Sequence, residues 1–149
     1  RAMKHKGIAF VEVYQNCIIF NDKAHGPVTG RETRDDRMVY LEHGKPLLFG
    51  KNKSEAIRLN GLYPEMADYD PTNTRGLLIH DETDPRPNHA YLLTQLTYPD
   101  FPVPFGVFRA VEKPTYDDLM NQQIRDIVAK KGKGSLEKLI YSGDTWRVQ

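Results

Sequence analysis

Cys17 is the only cysteine in 149 residues, and a thiolate is both a soft metal ligand and a strong nucleophile. By type alone two readings stay open: a small buried hydrophobe, the commoner fate of a free cysteine, or a functional group, either ligand or nucleophile. A second group, His80-Asp-Glu-Thr-Asp84, gathers hard and borderline metal donors in one run. Metal sites need donors that converge in space, which a single run seldom supplies. The simpler reading is an acidic turn before a helix, with Pro85 and Pro87 ending a strand and Asn88 capping residues 89–96. His5, His25, His43 and His89 show no i, i+4 pairing and no Cys/His spacing, so they read as turn and surface residues. No Gly-x-Ser-x-Gly elbow occurs, which removes the hydrolase class that depends on one. Arg109 ends an extended segment and can meet an anion, although pairing with a carboxylate such as Glu112 is the commoner role.

These residues depend on the elements that carry them. Ile8 to Tyr14 is a nearly unbroken apolar, β-branched and aromatic run, the pattern of a strand covered on both faces in a parallel sheet. Ligand sites in such sheets lie beyond the carboxyl ends of the strands. Gln15, Asn16 and Cys17 leave the expected strand at that edge. Residues 22–36 are polar and turn-rich, and Arg31 to Arg37 alternates in sign like a solvated connector. Met38 to Leu41 and Pro46 to Phe49 flank Glu42-His-Gly-Lys45 as a hairpin with Gly44 at positive φ. Residues 54–59 are too short to assign as a helix, 62–73 with two prolines reads as irregular, and Leu77 to Ile79 is a short strand candidate.

Toward the carboxyl end, Phe101 to Val111 is extended, because prolines fix φ and β-formers follow. Thr115-x-x-Asp118 opens the clearest helix, with Leu119, Met120, Ile124, Ile127 and Val128 on one face and Gly132 closing it. Met120 is expected in the core, and Lys130 to Lys133 complements the helix dipole. Ser135 to Ile140 makes a final short helix, and Trp146 is expected to anchor the tail against a neighbouring surface.

Twenty-one Lys and Arg oppose twenty Asp and Glu, a net charge of +1. Such a balance gives no overall field for nucleic acid or an anionic membrane. No run reaches the roughly 18 apolar residues of a membrane span, and the first residues lack a secretory h-region. One lone cysteine argues against a disulfide framework and for a reducing, cytoplasmic setting.

Gly7-Ile-Ala-Phe-Val-Glu-Val-Tyr-Gln-Asn-Cys-Ile-Ile-Phe-Asn21 resembles the segment that closes the thiamine-diphosphate domain in the β subunit of 2-oxoacid:ferredoxin oxidoreductases, the 2-oxoglutarate enzymes above all. The resemblance continues in order through Leu41 to Lys53, Ile57 to Gly61, Leu78 to Glu82, Pro104 to Arg109 and Ser142 to Trp146. It implies an α/β fold: residues 1–29 end a thiamine-diphosphate-binding α/β domain, and residues 30–149 form a C-terminal α+β extension. It also implies that Cys17 is a ligand of a 4Fe–4S cluster, and it assigns no catalytic or thiamine-contacting residue to this chain.

The other three cluster cysteines, a Gly-Asp-Gly-Asp stretch and a later Asn for Mg²⁺ and the diphosphate are absent here. One thiolate cannot hold a four-cysteine cluster. The chain therefore reads as the C-terminal part of a larger subunit, binding no cofactor alone and inactive alone. Implied for the full complex are oxidative decarboxylation of 2-oxoglutarate to an acyl-CoA, an α-subunit partner, coenzyme A, and ferredoxin as electron acceptor. Pyruvate or a branched 2-oxoacid stays open as substrate. A second class also stays open, a stand-alone assembly or interaction module derived from such a subunit.

Overall fold

The computed structural model describes residues 1–148. The chain mixes helices and sheets and divides into two compact units, residues 12–111 and residues 1–11 with those from 112 onward.

In the first unit, Val39, Leu47, Phe49, Ile57, Leu78, Leu93 and Leu96 form one buried cluster, with Leu41, Leu59, Leu92, Phe101 and Phe108 against it. Each fully buried side chain of this size contributes about 1.5–3 kcal/mol. Two short helices, α1 (Gly26–Thr29) and α2 (Arg34–Arg37), precede β1 (Met38–Tyr40). The expected solvated connector over residues 31–37 is thus partly helical. Arg37 ties it down: Nη1 donates to the Pro27 carbonyl at 2.9 Å, and the guanidinium lies 4.8 Å from the Tyr98 ring centroid.

The predicted hairpin is half right. Gly44 has φ +75° and both flanking runs contain strand residues. They do not pair with each other, however. β1 pairs in parallel with β5 (Val103–Phe105), while β2 (Leu48–Phe49) pairs antiparallel with β3 (Glu55–Asn60). Both partners lie far along the chain or beyond a turn, where local pattern carries no register. At the end of β5, Gly106 has φ +138°, and a Cβ there would sit 3.0 Å from Leu41 Cβ and 3.1 Å from its carbonyl oxygen.

β3 and β4 (Tyr63–Asp68) form a six-residue antiparallel ladder, from Asn60↔Tyr63 to Glu55↔Asp68. The run 54–59 is thus strand from Glu55 onward, and the irregular reading of 62–73 is corrected over β4. Gly61, φ +63°, takes the first position of the two-residue turn, as a type II′ loop requires. Pro64 is tolerated because β4 is an edge strand and its partner Leu59 turns its N–H the other way, to the Gly76 carbonyl at 2.8 Å. Leu77 and Ile79 are bridge residues, and Leu78 N–H donates to the Ile57 carbonyl at 2.9 Å. Helix α3 (Asn88–Gln95) buries Leu93. Asn88 is its first residue and not its cap; Pro87 holds the cap position, with no capping side chain. The predicted pairing of Arg109 with Glu112 gives way to a bond from Arg109 Nη2 to the Pro85 carbonyl at 2.7 Å.

In the second unit, α4 (Tyr116–Lys131) begins and ends as its sequence predicts. Asp118 N–H donates to Thr115 Oγ1 at 3.2 Å, Thr115 N–H donates to Asp118 Oδ2 at 3.4 Å, and Gly132 closes the helix at φ +76°. Lys6 Nζ, 2.6 Å from Asp118 Oδ2, holds that carboxyl below its ordinary range, and the Thr115 bonds add to the effect. α5 (Leu136–Ile140) follows, capped by Ser135 Oγ accepting from Lys138 N–H at 3.0 Å. Neither helix buries a residue. Met120 is therefore not in a core here, and Trp146 is 83 % exposed rather than anchored.

The largest departure concerns Ile8 to Tyr14. Residues 8–16 form no strand, and Ile8 and Phe10 are 96 % and 88 % exposed. A run apolar on both faces becomes a strand only when neighbouring strands pair with it and layers cover it. Among the described residues no strand does so.

Candidate functional site

Cys17 sits at the start of a tight turn. Asn21 N–H donates to the Cys17 carbonyl at 2.9 Å, and the two residues form an isolated antiparallel bridge. Asn16 clamps the loop from outside: its Nδ2 donates to Asp22 Oδ1 at 3.0 Å, and its Oδ1 accepts from Lys23 N–H at 2.7 Å. Lys23 adopts φ +59° to make that bond. Tyr14 fastens the stem, its ring 3.8 Å from that of His25 and edge-on to Phe105 of β5 at 5.3 Å. The thiol is exposed, so the buried-hydrophobe reading of Cys17 does not apply. Ile18, Ile19 and Phe20 beside it are also exposed, at 78 %, 86 % and 90 %.

An exposed thiol on a bonded turn suits one corner of a thiolate-ligated metal centre. The chain offers no second thiol, and among the described residues no group of three or more His, Cys, Asp or Glu side chains could hold a metal. One corner is thus all that these residues fit.

The run 80–84 does not converge on a metal position. Asp81 Oδ1 accepts from Thr83 N–H at 2.9 Å and from Thr83 Oγ1 at 2.6 Å, which lowers the carboxyl's pKa. Asp84 accepts from Arg86 Nε at 3.0 Å and Nη2 at 3.1 Å and is lowered for the same reason. Both carboxylates are committed to their own turns, which is the acidic turn the sequence suggests.

His80 behaves differently from the rest of its run and is fully buried. Its Nε2 lies 2.8 Å from the Val107 carbonyl and its Nδ1 lies 3.1 Å from His89 Nε2. A carbonyl only accepts, so His80 Nε2 carries the proton. In the neutral ring Nδ1 then accepts, and His89 Nε2–H donates to it. The opposite assignment would let His89 Nε2 accept the longer contact from Asp81 N–H at 3.3 Å. It would also require a doubly protonated His80 with no exposed surface, which costs far more than leaving one solvent-accessible N–H to water. The surface reading of His89 is therefore corrected: it is a partly buried member of a pair. Nine residues and a turn separate the two rings, so no helical or strand spacing could have revealed them.

Burial pushes the His89 pKa below the ordinary histidine value. The fold thus favours neutral His89. Its contribution to stability is complete above the unfolded pKa, about 6.5, and is lost as pH falls below that value, because the unfolded chain takes up the proton first. The urea midpoint of the chain is expected to drop between pH 7.5 and 5.5, and His89→Gln is expected to flatten that slope; an equal slope in the variant would refute the assignment. The carboxylates just described act in a separate, more acidic window. Beside His89 lies a groove of about 730 Å³ lined chiefly by Leu59, Leu62, Leu78, Tyr91 and Leu92. It brings no set of charged groups to one point.

Among the described residues no helix is long and apolar enough to cross a membrane. Aligned over 150 residues, 99 % of its length, the chain is 31 % identical to 2-oxoglutarate oxidoreductase subunit KorB of Mycobacterium tuberculosis (strain ATCC 25618 / H37Rv). It spans 40 % of that protein's length. The chain thus resembles a piece of an oxidoreductase β subunit, consistent with a C-terminal part of it. No protein-family model matches, and no solved structure matches.

Proposed function

We propose that this chain is the C-terminal part of a 2-oxoacid oxidoreductase β subunit, with residues 1–29 closing its thiamine-diphosphate-binding domain and residues 30–149 forming its extension. The similarity to a 2-oxoglutarate oxidoreductase subunit, continuous over nearly the whole chain, carries the reading. Two features support it. Among the described residues the apolar run at residues 8–14 lacks partner strands, as a strand would if its sheet belonged to another part of the subunit. The Cys17 thiol stands exposed on a turn that Asn16 and Tyr14 hold in place.

In the full subunit Cys17 is one of four thiolate ligands of a 4Fe–4S cluster, a group that supplies one-electron transfer when bound. The proposed reaction is oxidative decarboxylation of 2-oxoglutarate, with coenzyme A taking the acyl group and ferredoxin the electrons. We place thiamine diphosphate and Mg²⁺ outside these residues: the sequence holds no Gly-Asp-Gly-Asp stretch, and among the described residues no group of three or more His, Cys, Asp or Glu side chains could hold a metal. The role of this chain's own residues is narrower: Tyr14 and Asn16 orient the turn, and Cys17 presents its sulfur. The partners are the α subunit and ferredoxin, and the setting is cytoplasmic, where thiols stay reduced.

The full-length subunit assembled with its α partner is expected to reduce ferredoxin only when 2-oxoglutarate and coenzyme A are both present, and faster than with pyruvate. No reduction with any 2-oxoacid by an iron-loaded complex would overturn the reading.

A further inference from the structure

The second unit presents a seam that nothing above accounts for. Asp117, Met120, Ile124, Ile127 and Lys131 follow one another at spacings of 3, 4, 3 and 4 along α4, the pattern of a helix–helix seam. The three apolar members are 38 %, 55 % and 48 % exposed, and the helix buries nothing. Among the described residues neither Asp117 nor Lys131 has an ion-pair partner.

The ends of the seam decide what fits it. Its first residue is acidic and its last is basic, with only apolar side chains between them on that line. A parallel copy would set Asp117 beside Asp117 and Lys131 beside Lys131, which is repulsive at both ends. An antiparallel copy brings each Asp117 to the end where the other helix offers Lys131, and packs Met120, Ile124 and Ile127 against the same three residues. It also opposes the two helix dipoles favourably. The seam is self-complementary in this one direction, the requirement for a two-fold symmetric contact.

We propose that a second copy of this chain docks antiparallel along α4 through this seam. The inference does not rest on the cofactor assignment.

The test is a charge swap read by sedimentation equilibrium of the 149-residue chain. Asp117→Lys and Lys131→Glu should each weaken dimerisation by about tenfold, since each turns two attractive end contacts into repulsive ones. The double variant should dimerise more tightly than either single, because the swapped charges again face their opposites. Damage to the helix itself would give the reverse order: both substitutions oppose the helix dipole, so the double would be weakest. Circular dichroism of all four proteins records helix content. A wild-type chain that stays monomeric, single variants that dimerise normally, or a double weaker than both singles would each overturn the proposal and leave the seam to a different chain.

Discussion

Cys17→Ser in the full-length subunit is expected to remove or degrade one iron–sulfur cluster, lowering iron by up to about four atoms per subunit. A hydroxyl is a harder and much less acidic donor than a thiol, so it replaces a cluster thiolate poorly. The turn itself should survive: the bonds that shape it come from Asn16, Asp22, Lys23 and the Cys17 and Asn21 backbone, not from the sulfur. Loss of cluster absorbance and of the paramagnetic signal of the reduced centre should therefore occur in a folded protein. Substrate-driven reduction of ferredoxin should fall by at least about tenfold, the scale seen when metal sites lose even a supporting partner. Unchanged iron and an unchanged signal would remove Cys17 from the cluster without touching the family resemblance.

The second large effect concerns stability. His80→Ala is expected to destabilise the unit of residues 12–111 by about 3–5 kcal/mol, from a cavity in the core together with two hydrogen-bonding partners left unmet. Those partners are the Val107 carbonyl and His89 Nε2–H. With domain stabilities of about 5–15 kcal/mol, this is a large share. His80→Gln keeps a donor of similar reach toward Val107 and should cost clearly less than the alanine change. Urea midpoints for the two variants at pH 7.5 measure the difference. Equal and small losses in both would mean that the ring fills space and its hydrogen bonds contribute little.

What could be read from the residues followed the range of the interactions. α4 and α5 were legible because caps and apolar periodicity are local: Thr115, Asp118, Gly132 and Ser135 occupy the capping positions their types suggest. The β3–β4 hairpin was missed for two reasons. Ala56 and Ile57 are both fully buried, which breaks the alternation of a half-buried strand. Pro64 also argued against a strand until its edge position was known. Its turn did leave a signal, a glycine opening the two-residue loop Gly61-Leu62. β1 and β5 meet across more than sixty residues in a parallel pairing that neither segment encodes alone.

The same distinction holds at the candidate site. Cys17 stood out by type, and its turn is closed by neighbours within seven residues. The His80–His89 pair had no such signal, because a turn brings the rings together and the Val107 carbonyl, twenty-seven residues on, fixes which nitrogen carries the proton. For the run Ile8 to Tyr14, composition describes a residue's demand for cover and not its supply. The pattern states that the run needs partners on both faces, and the described residues do not include them.

The central claim is that this chain completes a larger catalytic subunit. Sequencing the coding DNA immediately upstream of the Arg1 codon tests it most directly. An in-frame extension encoding three further cysteines and a Gly-Asp-Gly-Asp stretch is the predicted result; a stop codon followed by a start codon next to Arg1 would contradict it.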